Sequence, residues 1–549
     1  MSEATTGELV GEISHLSVTY HAHGRAHTAV DDISLQLKAG RTLAIVGESG
    51  SGKSTVVKAL LGILPASAEV TGSLNLLGHA LEHAGPKEWA QVRGRIVGFV
   101  PQDPQSNLDP TMRIGEQVAQ IVRLHHSGLD RRAQQARVLE LLEEVGIDEP
   151  ALRARQYPYE LSGGLKQRVL IAQALASDPE VIVADEPTSA LDVTVQKKIL
   201  DVLETLGKAR NIATLMVTHD LAVVSDRADD VLVMHNGELV ETGETGHVLG
   251  HPGRTYTKAL LAASPSFRSE DVPTKTGRER LTDGAAPEPE AAVRWKDVTK
   301  TYRTGYTPAG VFKAVDGVTL TARKGETLAI VGESGSGKTT LLRLALALTS
   351  PTNGSVEVNG NDLSTLRGAR LRNARRDFQL VQQNPFDSLD PKYSIADCIS
   401  EPLKAFHVGD GRSRANRVRE LLDLVALPQS VLTSKPTELS GGQCQRVAIA
   451  RALAVEPKVL FLDEPVSALD VIVQAQIVDL LAALQRDLKL TYVFVSHDLA
   501  VVSNIADRIA VIGKGHLVEE GAASHVLHHP AADYTRKLLD AIPGGRFGR

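Results

Sequence analysis

Two cysteines in 549 residues, Cys398 and Cys444, are too few and too isolated for a disulfide framework or a four-cysteine metal site, and they suit a reducing compartment. Aromatic residues are scarce at 4%. No uninterrupted apolar stretch approaches the roughly 20 residues needed to cross a bilayer, so any membrane process served by this chain would draw its spans from other subunits. Positive charge is not in excess: 60 basic against 66 acidic residues give a formal charge of -6, and no global field advertises a nucleic-acid partner. The opening MSEATTGELVGEISHL has no basic segment followed by an apolar one, and no secretory signal is expected. What remains, 42% hydrophobic and 23% charged residues, is the composition of an α/β protein long enough for two to four domains, each able to bury its own core.

The chain is an internal duplication. TLAIVGESGSGKST at Thr42–Thr55 returns as TLAIVGESGSGKTT at Thr327–Thr340. LSGG followed by QR occurs at Leu161–Arg168 and Leu439–Arg446, and DEP with SALD at Asp185–Asp192 and Asp463–Asp470, both pairs 278 residues apart. The signature serine precedes the DEP aspartate by 23 residues in each copy, and that aspartate precedes a histidine by 34. Equal spacing implies one fold used twice, with a first domain over 1–264 and a second over 293–549. Between them, 265–292 is rich in proline and charge, with four basic and six acidic residues and no hydrophobic period, and reads as a linker.

Short apolar runs at Thr42–Val46, Val181–Ala184, Thr327–Val331 and Val459–Leu462 read as buried parallel strands. Val138, Leu141, Leu142 and Val145, and again Val418, Leu421, Leu422 and Val425, fall at helical spacing. Each copy is therefore expected to be an α/β domain with a parallel-sheet core and a helical insertion, at about 103–161 and 384–439.

G-x-x-x-x-G-K-[ST] after a strand is a phosphate-binding loop: glycines let backbone N–H groups curl round phosphates, the lysine neutralises β/γ charge, and the following hydroxyl holds Mg²⁺. The first loop comprises Gly47, Ser49, Gly50, Ser51, Gly52, Lys53, Ser54 and Thr55; the second comprises Gly332, Ser334, Gly335, Ser336, Gly337, Lys338, Thr339 and Thr340. At the end of a later strand, Asp185 and Asp463 are placed to support the metal, and Glu186 and Glu464 to act as general base or to orient water. Ser162-Gly163-Gly164 and Ser440-Gly441-Gly442 open helical stretches, where serine and glycine expose N–H donors to an anion.

In this order the motifs resemble the ATP-binding cassette family, over nearly the whole chain apart from the linker and the extreme termini. The resemblance implies two tandem P-loop NTPase domains of the ABC type, with ATP and Mg²⁺ as ligands. It implies head-to-tail packing, with each ATP between the phosphate loop of one domain and the LSGG of the other. One site would combine Lys53 and Glu186 with Ser440, the other Lys338 and Glu464 with Ser162. Gln102 and Gln383 match the family's glutamine loop, which approaches the metal and contacts the membrane partner. His219 and His497 match the switch histidine at the γ-phosphate, and Tyr20 and Tyr302 are candidates to stack on adenine. The first signature departs from the pattern, carrying Leu165 where the second has the usual Gln443. With both glutamates present, two competent sites with modest asymmetry are expected.

The tails HPGRTYTKALLAASP at His251–Pro265 and HPAADYTRKLLDAIP at His529–Pro543, with PQDPQSNLDP at Pro101–Pro110 and QQNPFDSLDP at Gln382–Pro391, resemble those of oligopeptide, dipeptide and nickel importer ATPases. That resemblance implies two membrane-spanning permease subunits, an extracytoplasmic substrate-binding protein, and a place at the cytoplasmic face of the cell membrane. No cysteine lies near either tail, so the iron–sulfur cluster of many relatives is not expected. Other tandem classes fit less well: translation-factor ABC proteins have a long basic helical linker, excision-repair ones zinc cysteines, chromosome-maintenance ones long coiled coils, and fused sugar-importer ATPases lack the paired tails. A different cargo, such as nickel or sugar, or a nonmembrane role on nucleic acid or ribosomes, stays open as the alternative. The basic RGARLRNARR at Arg367–Arg376 reads as a solvated helix face, and the His-rich YHAHGRAH at Tyr20–His27 as an exposed loop without a metal.

Overall fold

The computed structural model describes residues 7–22, 25–189, 191–267, 290–303, 310–467 and 469–544. They form two compact units, the first mostly residues 7–267 and the second mostly residues 290–542.

Each unit is built on a six-stranded sheet. In the first unit the strand order is Glu238–Glu244, Asp230–His235, Thr42–Val46, Ala213–Val217, Val181–Asp185, Val97–Val100. All neighbours are parallel except the antiparallel pair at the Glu238–Glu244 edge. The second unit repeats this with Phe378–Val381, Val459–Asp463, Thr491–Ser496, Thr327–Val331, Arg508–Gly513 and His516–Ala522. The strands read as unbroken apolar runs because both faces are covered. Val181 and Val183 enter one core cluster while Ile182 and Ala184 enter another. Val459 and Phe461 part from Leu460 and Leu462 in the same way.

One face of each sheet is covered by the helix that follows the phosphate loop, Lys53–Leu60 or Lys338–Ala345, and by a four-stranded antiparallel sheet. That second sheet, led by Leu9–Ala22 and Arg25–Lys38 in one unit and by Ala291–Arg303 and Val311–Arg323 in the other, is absent from the sequence-based expectation of a parallel core. Its strands contain bulges, which break the period-2 alternation that would have announced them. The opposite face packs against helices Ile114–His125, Arg131–Glu144 and Gly163–Leu175, and in the second unit Ile395–Ala405, Gly411–Leu424 and Gly441–Leu453. Val138, Leu141 and Leu142, with Val418, Leu421 and Leu422, form the buried stripes of two of these helices.

Two segments differ from the reading of the sequence or fall outside the structure, and a third agrees with it. Of the linker expected over 265–292, residues 268–289 lie outside the described residues. Pro265–Phe267 form a 3-10 turn, and the strand Ala291–Arg303 already includes Ala291 and Ala292, the latter buried. The His-rich segment is a hairpin rather than a loop: Tyr20 pairs with His27 and His21 with Ala26, although residues 23 and 24 lie outside the described set. The basic stretch after Arg367 is the helix Gly368–Ala374, with no buried residue. Among the described residues no helix is long and apolar enough to cross a membrane.

Trp295 anchors the second unit: it is fully buried, and its indole N–H donates to the Leu341 carbonyl of the phosphate-loop helix at 3.2 Å. Trp295→Ala is expected to cost about 3–5 kcal/mol through the cavity it leaves. Thermal unfolding should show an early transition carrying part of the total enthalpy, and an unchanged melting profile would contradict this anchor.

Candidate functional site

In both units the phosphate loop is a shape that only glycine permits at its start. Gly47 has φ 153° and Gly332 φ 150°, and a Cβ there would lie 2.2 Å from the Met234 carbonyl oxygen or 2.1 Å from that of Ile512. The loops end at the left-handed Gly52 and Gly337, from which the helices Lys53–Leu60 and Lys338–Ala345 start. Lys53 and Lys338 are 7% and 5% exposed. The Lys53 ammonium donates to the carbonyls of Gly47 and Glu48, both at 2.7 Å, and that of Lys338 to Gly332 at 2.7 Å and Glu333 at 2.8 Å. Burial pushes the Lys338 ammonium below the usual lysine range. Ser49, Gly50, Ser54, Ser334, Gly335 and Thr339 are exposed, while Ser51 and Ser336 are buried beneath the loop.

The acidic pair sits at the end of Val181–Asp185 and of Val459–Asp463. Burial, reinforced by the adjacent Glu186, pushes the Asp185 carboxyl up to about 6, and Asp463 is raised by burial and Glu464 in the same way. Glu186 and Glu464 stand in the left-handed region at φ 45° and 46°, a costly conformation for a residue with a side chain. It is held by N–H bonds from Glu186 to the Val217 carbonyl and from Glu464 to that of Val495, each 2.9 Å.

Each glutamate is met by a glutamine and a histidine of its own unit. Gln102 Nε2 donates to Glu186 Oε2 at 2.7 Å, and His219 Nδ1 lies 3.2 Å from Oε1. In the second unit Gln383 Nε2 donates to Glu464 Oε2 at 2.9 Å and His497 Nδ1 lies 3.1 Å from the same oxygen. Burial alone would raise both glutamates, but the hydrogen bond and charge of the histidine outweigh it, and each stays below the usual carboxylate range. Burial opposes the histidine charge too, and the carboxylate prevails, holding His219 and His497 above their ordinary value. The charge of Lys53 acts on both Asp185 and Glu186, and that of Lys338 on Asp463 and Glu464, so lysine, acidic pair and histidine share one locality in each unit.

The signature segments lie at the N-termini of Gly163–Leu175 and Gly441–Leu453. Ser440 and Gln443 form a reciprocal cap: the serine hydroxyl accepts from Gln443 N at 3.3 Å, and Gln443 Oε1 accepts from Ser440 N at 3.0 Å. Ser162 accepts from Leu165 N at 3.4 Å, but leucine has nothing to return. Tyr20 lies with its hydroxyl 3.4 Å from Thr55 Oγ1, and Tyr302 carries the Lys300 ammonium 5.2 Å above its ring.

Three contacts escaped the reading of the sequence. Gln383 also donates to Ser467 Oγ at 3.4 Å, inside the SALD motif. Tyr256 and Tyr534, from the tails, receive the backbone N–H of Glu48 and Glu333 on their hydroxyls, each at 3.3 Å. The recurrence of Tyr-Thr in both tails was the available signal. As for a metal, the exposed hydroxyls of Ser54 and Thr339 and the carboxylates of Asp185 and Asp463 are hard oxygen donors of the kind Mg²⁺ takes. The upward shift of both aspartates marks a place where a neighbouring cation would relieve their charge.

Residues 30–189 and 315–467 match the ABC transporter family, and residues 518–547 match the oligopeptide/dipeptide transporter C-terminal region. The oligopeptide transport ATP-binding protein OppD of Mycobacterium tuberculosis is 41% identical, with 97% of this chain and 98% of that protein covered. The glutathione import ATP-binding protein GsiA of Salmonella typhimurium is 40% identical over 97% of this chain and 89% of that protein, and GsiA of Escherichia coli is 39% identical over 98% and 90%. With two complete motif sets on two copies of one fold, and relatives of this identity along nearly its full length, the chain belongs to the ATP-binding proteins of the ABC transporter family.

Proposed function

We propose that this chain is the ATP-hydrolysing, energy-coupling subunit of an ABC importer for dipeptides or oligopeptides. The observation that carries the chemistry is the repeated cluster in which a buried lysine, an Asp-Glu pair and a histidine surround one phosphate loop. The relatives' names and the C-terminal match support a peptide cargo. Two permease subunits, which would bring the chain to the cytoplasmic face of the membrane, and an extracytoplasmic binding protein complete the proposed assembly.

In this reading Lys53 and Lys338, with the loop N–H groups, neutralise the β- and γ-phosphates of ATP. Mg²⁺, when bound, would be held by Ser54 and Asp185, or by Thr339 and Asp463, with Gln102 and Gln383 nearby, and would supply further neutralisation of phosphate charge. Glu186 and Glu464, kept ionised by their histidines, orient the water whose oxygen attacks the γ-phosphorus as the bond to ADP breaks. His219 and His497 hold the glutamate and face the transferred group. Following the family arrangement, Ser162-Gly163-Gly164 and Ser440-Gly441-Gly442 offer helix N-termini to the ATP of the other domain.

Lys53→Ala and Lys338→Ala should each weaken ATP at one site, because each removes the charge facing the phosphates. Equilibrium binding that still shows two ATP per chain at unchanged affinity would defeat the assignment. Glu186→Gln and Glu464→Gln should retain ATP while losing about 10²–10⁴-fold in hydrolysis at their own site. In vesicles reconstituted with the permeases, either should suppress uptake of labelled peptide, and normal uptake by one of them would count against two coupled sites.

The one-sided cap at Ser162 makes a third expectation. The site proposed to use Ser162 is that of Lys338 and Glu464, which Glu186→Gln leaves as the active one. Single-turnover hydrolysis should therefore be slower in Glu186→Gln than in Glu464→Gln, and Leu165→Gln, by supplying the missing capping bond, should narrow the gap. The reverse order of rates would overturn the asymmetry.

A further inference from the structure

The tail tyrosines do more than pack. We propose that Tyr256 and Tyr534 are positioning residues for ATP, acting through the backbone of Glu48 and Glu333 to hold each phosphate loop in its binding shape. This rests on the ATP sites proposed above and assigns the C-terminal tail of each copy a part in them.

The peptide groups on either side of the Glu48 Cα are gripped from two directions. The residue's N–H donates to the Tyr256 hydroxyl at 3.3 Å, and its carbonyl accepts from the Lys53 ammonium at 2.7 Å. Glu333 is held in the same manner by Tyr534 at 3.3 Å and Lys338 at 2.8 Å. The preceding glycine is already pinned by its close approach to a backbone carbonyl, so the tyrosine removes the remaining freedom where the strand becomes the loop. A lysine that takes its bearings from the carbonyl of this residue is thereby aimed, and the ordering cost is met before ATP arrives.

The tail is built to hold the hydroxyl there. The Glu241 carboxylate accepts from Gly253 N at 2.8 Å, Arg254 N at 3.3 Å and Thr257 Oγ1 at 2.5 Å, fastening the start of the helix Thr255–Ala263 that carries Tyr256. Glu519 accepts from Ala531 N at 2.8 Å and Ala532 N at 3.1 Å, just before the helix Asp533–Asp540 that carries Tyr534. Beneath the two rings the copies differ. Tyr256 packs against His235 with ring centroids 4.1 Å apart and the planes tilted by 32°, whereas Tyr534 lies on the equivalent Gly513, so close that a Cβ there would meet its Cε1 at 3.0 Å. The ring's surroundings have changed between the copies while the hydroxyl contact is the same, which singles out the hydroxyl.

Tyr256→Phe keeps the ring and deletes the hydroxyl. Introduced into the full chain carrying Lys338→Ala, and Tyr534→Phe into the chain carrying Lys53→Ala, each reads one loop alone. The dissociation constant for ATP is expected to rise about 3- to 10-fold, the worth of one hydrogen bond, with the single-turnover rate at saturating ATP unchanged. An unchanged dissociation constant, with or without a fall in melting temperature, would overturn the proposal and leave the tyrosines as packing residues. If the parent single-lysine chains bind no ATP at the remaining site, the ATP-site reading itself falls, and this inference with it.

Discussion

A lysine ammonium buried under its own loop is the constraint on which each half depends. Lys53 and Lys338 sit in little water with backbone carbonyls turned inward to receive their ammonium groups, and beside Lys338 the carboxylates of Glu464 and Asp463 favour its charge against burial. Turning those carbonyls inward requires glycines at the loop's start and end, and the close approach at Gly47 and Gly332 requires a neighbouring strand at fixed distance. That strand, Asp230–His235 or Arg508–Gly513, is placed by parallel pairing with Thr42–Val46 or Thr327–Val331. Sheet, loop and lysine thus form one chain of necessity.

The acidic partners obey the same logic with opposite sign. Asp185 and Glu186 are neighbours in a half-buried place that cannot favour two negative charges equally. The structure separates them: the histidine secures ionisation of the glutamate, while the aspartate is left with a raised affinity for a proton or a cation. Two adjacent carboxyl groups acquire different chemistry from their surroundings.

Much of this was legible from the residues. The strands before each phosphate loop and at each Asp-Glu pair announced themselves as apolar runs, and the duplication fixed their correspondence, because spacing survives where local propensity is ambiguous. The contacts of the histidine and the glutamine with the glutamate were not legible, since the resemblance spoke of them only toward the γ-phosphate and the metal. The antiparallel sheet was not legible, since bulges scramble its alternation. Nor was the tyrosine contact: 208 residues separate Glu48 from Tyr256, and the bond ends on a backbone N–H, which leaves no trace in the identity of the residue that donates it.

The position of Thr42–Val46 within its sheet also governs when the first unit can take shape. Both of its neighbours come from far downstream, at Ala213–Val217 and Asp230–His235. During synthesis at roughly 5–20 residues per second, this strand emerges about 10–40 seconds before the last of them. For that interval an apolar segment stands without the partners that cover its edges, open to mispairing until they are made.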